Sequence, residues 1–324
     1  MTKAAIGGLC LFCLVSAASL LGRTFWLFEL LTHFRLQYAV AGVFLALVLA
    51  ARRRWIGATI AAAVAVANAV PAVPYVASAS AADAGSHEII RVMTLNLRHR
   101  FADVDAVRNL VRTQRPDVVV LTELLPAHQE LLTSLGETLP HRVGTLPRGK
   151  FDAVLLSRLA IASSRIHYPA ARFLPVIEAR LCQELVDQES CLTVIALHSP
   201  RPDFSRGKLQ NETFSWVGER AASIADRRVI VMGDLNSTPY SHRFQNLARR
   251  GGLADAAIGA PWRTTWISRF PPFGLTLDHV LVGSALSPVL RHVSDDIGSD
   301  HFPLIVDVAT DRVVPGRHER FTRR

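Results

Sequence analysis

The chain has 324 residues, half of them apolar, and a formal charge of +9. Its size and hydrophobicity permit a sizeable core in one or two domains. Residues 1–83 carry six positive and two negative charges and the tail from Arg312 to Arg324 five and one, so only about +1 is left for the body, and the basic balance alone does not argue for nucleic acid.

Three apolar stretches open the chain, 4–21, 36–51 and 55–76. A membrane span needs roughly 20 apolar residues, and residues 1–76 are accordingly expected to form about three transmembrane helices. A cleaved signal peptide explains the first stretch alone and neither of the others. Lys3 and the cluster Arg52, Arg53, Arg54 fall on one side of such an arrangement, Arg23 and Arg35 on the other. Because positive residues are retained in the cytoplasm, the expectation is a multi-pass cell-membrane protein with its large domain on the non-cytoplasmic side. Cys10 and Cys13 lie in the first stretch and read as packing residues. Residues 77–87 are small and polar, as in a flexible linker; residues 88–311 read as the large domain and 312–324 as a basic tail.

Within the large domain, apolar β-branched runs predict strands at 89–97, 117–121, 153–156, 176–185, 192–197, 229–232, 277–282 and 304–308. Helical spacing fits 104–113, 127–135, 209–224 and 240–249. Strands mixed with helices, and paired in at least one hairpin, indicate an α/β fold of two packed sheets covered by helices. Cys182 and Cys191 flank that hairpin, where cross-strand neighbours come within disulfide reach in some registers. An oxidising compartment would let the bond form.

Several strands deliver polar residues to loops. Candidate oxygen ligands are Asn96 in VMTLNLR, Glu123 in VVVLTEL, Asp234 and Asn236 in VMGDLN, and Asp300 in GSDH. Hard cations such as magnesium take oxygen ligands and keep several waters, so one or two carboxylates with an amide suffice. The absence of HExxH and of a thiolate cluster argues against zinc of those kinds. His198 closes the strand TVIAL, and His301 follows Asp300 just before another strand. Imidazole exchanges a proton near neutrality, and a carboxylate such as Asp278 can fix one of its ring nitrogens. These are the parts that metal-assisted phosphodiester hydrolysis requires.

Taken in order, TLNLR, the glutamate of LTEL, LLSR (155–158), ALHSP, GDLNSTP, LDHVL and SDHFP resemble the endonuclease/exonuclease/phosphatase superfamily over residues 91–308. The resemblance implies a four-layer α/β/β/α sandwich of the deoxyribonuclease I type. It also implies that Asn96 and Glu123 hold Mg2+ or Mn2+ with Asp300 nearby, and that Asp234 and Asn236 orient water and phosphate. Asp278 and His301 would activate the water and His198 would assist the leaving group, while Arg98 and Asn236 contact substrate. The three leading apolar stretches are similar to those of membrane-attached bacterial members. Two departures stand out. Deoxyribonuclease I pairs its first histidine with a glutamate, where GKFDAVLLSR offers only Asp152. Apurinic endonucleases carry an acid two residues after the first asparagine, where this chain has Arg98, which disfavours abasic-site repair.

Substrate class stays open at this level. ALHSP and the basic residues Arg98, Arg100, Arg148, Lys150, Arg201, Arg206 and Lys208 favour a nuclease; tethering at a bilayer favours a phospholipid or sphingomyelin phosphodiesterase. Trp262, Trp266, Phe270 and Phe273 can stack on bases, enter lipid, or pack in the core. A third reading is an anchored binding module without turnover. The partners implied are a phosphodiester substrate, nucleic acid or phospholipid, and the lipid bilayer; no obligate protein partner is implied.

Overall fold

A computed structural model describes residues 3–22, 24–77, 88–98, 102–144, 151–183, 191–266 and 274–310. The expected linker beyond Ala77, the basic tail, and Arg23, Arg100, Arg148, Lys150, Phe270 and Phe273 lie outside the described residues.

The amino-terminal region is helical: α1 (Lys3–Leu20), α2 (Trp26–Thr32), α3 (Arg35–Ala51) and α4 (Trp55–Ala69), which continues through a 3-10 turn into α5 (Val73–Val76). Trp55–Val76 is long and apolar enough to cross a membrane, whereas Ile6–Ser19 and Arg35–Ala51 are shorter apolar helices. The expected three transmembrane helices are therefore corrected to one such helix among the described residues. Length is the reason. Between the turn at His33 and Phe34 and the arginines 52 to 54, α3 keeps 17 residues, a rise of about 26 Å against a hydrocarbon core of about 30 Å.

From Glu88 to Thr310 the chain builds a sandwich, with β1 (Glu88–Asn96), α6 (Val104–Gln114), β2 (Val118–Thr122), α7 (Gln129–Leu135), β3 (His141–Gly144), β4 (Ala153–Ser157), β5 (Ala160–His167), β6 (Val176–Cys182) and β7 (Cys191–His198). It continues with α8 (Gly207–Ala222), β8 (Val229–Asp234), α9 (His242–Gly251), β9 (Leu253–Asp255), β10 (Asp278–Gly283), β11 (Leu286–Val293) and β12 (Leu304–Thr310). One sheet runs β11-β12-β1-β2-β4-β3 and the other β5-β6-β7-β8-β10-β9. Among the described residues, the eight strands expected from sequence are the eight interior strands, and the other four, β3, β5, β9 and β11, are the sheet edges.

Strand alternation sorts side chains into layers. Val92, Val118, Val120, Leu155, Ile177, Leu181, Val194, Ile230, Met232, Val280 and Val306 fill the space between the sheets. Met93, Leu95, Val119 and Leu121 point outward to Val107, Val111, Leu131 and Leu135 of α6 and α7. On the other side Ile195, Leu197, Val229 and Val231 meet Phe214, Val217, Phe244 and Leu247 of α8 and α9. The result is a mixed two-sheet α/β sandwich in four layers. Cys182 and Cys191 face each other in the β6–β7 register and form a disulfide.

Candidate active site

Topology brings the polar strand ends to one mouth. β1 runs parallel to β2 in one sheet and β7 parallel to β8 in the other, and a hydrogen bond from Asn96 to Asp234 brings the carboxyl ends of the two pairs together. β12 is antiparallel to β1 and β10 to β8, so these two contribute their starts instead. Asn96, Glu123, His198 and Asp234 thus arrive from strand ends, and Asp278 and His301 from strand beginnings. In register, Asp234 lies beside both His198 and Asp278.

Asp234 is the centre of the cluster. Its Oδ2 accepts from Asn96 Nδ2 at 2.8 Å and lies 3.5 Å from His198 Nε2 and 3.8 Å from His301 Nε2. Its Oδ1 accepts from the Asn236 backbone amide at 2.8 Å. Glu123 Oε1 is 3.1 Å from Asn96 Nδ2 and 3.8 Å from His198 Nε2. Asn236 Nδ2 donates to the Ser199 carbonyl at 2.8 Å and lies 3.4 Å from His198 Nε2. Ligating atoms of Glu123, His198 and Asp234, and again of Asp234, Asp278 and His301, fall within 4.8 Å of one another.

These positions require unusual backbone. Glu123 (φ 56°), Asn236 (φ 47°) and Arg98 (φ 46°) are left-handed, which costs non-glycine residues free energy and concentrates at functional sites. Gly233 has φ 138°, and a Cβ there would stand 2.0 Å from the Leu197 carbonyl oxygen. Only glycine lets β8 lie that close to β7.

His301 and Asp278 form a buried pair, Nδ1 to Oδ2 at 2.7 Å. Thr265 Oγ1 accepts the backbone amides of Leu277 and Asp278 at 3.0 Å each and so fixes the start of β10. Ser299 Oγ donates to the Asn96 carbonyl at 2.7 Å and accepts the His301 amide at 3.1 Å, tying the segment that leads into β12 to the end of β1. Burial pushes the Asp278 carboxyl up, and the imidazole beside it pulls the other way. For His301 burial acts against the charged ring, but the carboxylates of Asp278 and Asp234 outweigh it and raise the ring to about 9.

The donor set fits a hard divalent cation: two carboxylates, Glu123 and Asp234, crowd together with an amide between them. Asn96 turns Nδ2 toward those carboxylates, while its Oδ1 accepts from the Arg98 amide at 2.7 Å. An oxygen from Asn96 would face the cleft only after a half-turn of that amide. Asp300 stands at the rim, outside both close groups of ligating atoms. Its Oδ2 lies 3.5 Å from Arg98 Nε and 3.3 Å from Trp266 Nε1. Among the described residues His198 Nδ1 has no hydrogen-bond partner, and the Phe151 ring packs against the imidazole at 5.1 Å between centroids.

The model of the Endonuclease/Exonuclease/phosphatase family matches residues 93–301. This chain belongs to the endonuclease/exonuclease/phosphatase family. No curated protein matches it. Solved structures share the family fold at low identity. A family protein from Beutenbergia cavernae superimposes with a TM-score of 0.55 at 22% identity, covering 68% of this chain and 72% of that one. One from Bacteroides vulgatus gives 0.56 at 15%, covering 69% and 100%. D. rerio TDP2 complexed with a single-strand DNA product gives 0.52 at 17%, covering 69% and 100%.

Sequence reading of this family member missed several residues near the mouth. Thr265 and Ser299 carry no sequence signal beyond an ordinary hydroxyl in a loop. His279, next to Asp278 in β10, points away from the mouth. It is buried on the helical side, with Nε2 2.9 Å from the Ser237 carbonyl oxygen and Nδ1 3.2 Å from Asp255 Oδ2.

Proposed function

We propose that this chain is a metal-dependent phosphodiester hydrolase, anchored to a membrane and acting on nucleic acid. The observation that carries this reading is the meeting of Asn96, Glu123, His198, Asp234, Asn236, Asp278 and His301 at one mouth of the sandwich. Glu123 and Asp234, with Asn96 beside them and Asp300 at the rim, would hold magnesium or manganese. The bound cation supplies neutralisation of phosphate oxygen charge.

Asp278 holds His301 Nδ1 and leaves Nε2 facing the cleft to take a proton from the attacking water. A cation held at Asp234 would offset part of the negative charge that raises His301, and Nε2 would then be freer to accept that proton. Asp234 and Asn236 orient water and phosphate, and His198, on the other side of Asp234, protonates the leaving oxygen. Arg98 contributes positive charge for a phosphate beside Asp300. The single-strand DNA product bound by D. rerio TDP2 favours nucleic acid as the first substrate class to assay.

Anchoring is supported by the apolar surface of the amino-terminal helices. Val43, Phe44, Leu47, Trp55 and Val66 are exposed and line one apolar groove, the kind of surface that marks a membrane or partner contact. Arg52, Arg53 and Arg54 immediately precede Trp55–Val76. Retained in the cytoplasm, they put the sandwich on the other side, where the Cys182–Cys191 disulfide is at home. A carboxyl-terminal reporter active only in the cytoplasm should stay silent; a signal would overturn this orientation.

The deciding experiment assays the full chain on DNA, RNA and labelled liposomes with and without magnesium, beside Asp234→Ala. Metal-dependent cleavage of nucleic acid, lost in the variant, is expected. Release of lipid head groups alone would replace the nuclease by a lipid phosphodiesterase. Metal binding without turnover on any substrate would leave a binding module.

A further inference from the structure

The loop leaving Asn236 is held at one peptide group from two sides. The Ser237 carbonyl accepts from His279 Nε2 at 2.9 Å, and the amide of the same unit, Thr238 N–H, donates to His33 Nδ1 at 3.2 Å. Thr238 Oγ1 donates to that nitrogen as well, at 2.9 Å. Both imidazoles are buried. His279 is backed by Asp255 and by the Phe244 ring, 4.5 Å away between centroids. His33 comes from the turn between α2 and α3, 205 residues distant in sequence. Burial, helped by the charge of Arg243, pushes its pKa down to about 4, so the ring is neutral at physiological pH and Nδ1 can accept.

A second contact seats the same helices. Glu29 of α2 is buried, and its Oε1 accepts from Ser241 Oγ at 2.5 Å and from the Arg243 amide at 3.2 Å. A carboxylate therefore caps the start of α9, where amides have no partner within the helix and negative charge is favoured. Gly22 closes on this contact: a Cβ there would stand 2.6 Å from Glu29 Oε2.

We propose that His33 and His279 are positioning residues that clamp the Ser237–Thr238 peptide and thereby hold Asn236 over Asp234 and His198, which makes the docked amino-terminal helices a working part of the active site. Asn236 needs such restraint because its left-handed backbone relaxes when released. A shift of about 1 Å at a catalytic group costs on the order of 100-fold in rate. The inference rests on the reading of Asn236 as part of a phosphodiesterase site.

The test uses the full chain in detergent, with bis(4-nitrophenyl) phosphate and magnesium, and compares His33→Ala, His33→Asn, His279→Ala, the double alanine variant and Gly22→Val. His33→Ala and His279→Ala should each lower kcat roughly 10- to 100-fold with KM unchanged. The double variant should be no slower than the slower single one, because both act through one peptide. His33→Asn, which keeps an acceptor near Nδ1, should restore most of kcat. Hydrogen exchange at the Thr238 amide reads the clamp without catalysis: slow in the wild type and His33→Asn, fast in His33→Ala and Gly22→Val. A folded His33→Ala protein with wild-type kcat, or with Thr238 still protected, would overturn the clamp. A wild-type protein that hydrolyses no phosphodiester would overturn the functional reading instead, and the exchange measurement would still decide the clamp.

Discussion

Replacing Asp278 by asparagine keeps the shape of the His301 partner and removes its charge. The hydrogen bond at issue is 2.7 Å long and lies between two buried groups. Hydrogen bonds to charged groups contribute about 1.5–3 kcal/mol, and about 1.4 kcal/mol is a factor of ten. If that interaction strengthens as His301 takes the proton from water, its loss should lower kcat by roughly 10- to 150-fold. The same change removes the main negative neighbour that raises His301, so its pKa should fall from about 9 toward the ordinary value near 6.5. Two measurements check this: the pH profile of kcat/KM on a chromogenic phosphodiester, and the His301 titration followed by NMR in the metal-free protein. Asp278→Asn turning over within twofold of the wild type, with an unshifted His301 titration, would refute the pairing as the source of base strength.

Glu123→Gln should raise the magnesium concentration needed for half-maximal rate about tenfold or more while the melting temperature stays close to wild type; a superimposable metal titration counts against ligation. His301 has a folded pKa raised to about 9 above its unfolded value near 6.5, so its contribution to stability is complete below about pH 6.5 and lost as pH rises through 9. The metal-free protein should lose melting temperature across that window more steeply than His301→Gln, and parallel curves would refute the assignment. Cys182→Ser with Cys191→Ser opens a bridge of sequence separation 9, worth about 2.5 kcal/mol by loop entropy. Equal melting temperatures with and without reductant would show that the disulfide adds nothing.

What sequence revealed of the fold follows the burial of each strand. β2, β4, β7, β8 and β10 are buried along their whole length and read as continuous apolar runs. β5, in contrast, exposes Ala162, Ser163, Ser164 and Arg165, and β11 carries Pro288 where its register shifts; an edge strand lacks a second neighbour and needs no such pattern. At the site, the acids, amides and histidines were legible because each ends or begins an apolar strand. The supports were not. His33 and Glu29 lie in a helix of seven residues and its following turn, between apolar stretches that dominate any reading of composition. Their partners Thr238 and Ser241 lie more than 200 residues away. Local pattern holds no trace of such a contact.

Gly233 offers a way to sort relatives of this chain. With any side chain at that place, β7 and β8 must part, and His198 is carried away from Asp234. An intact GDLN is thus a cheap marker of catalytic competence, and homologues that keep every acid and histidine but have traded this one glycine are the first to screen for lost turnover.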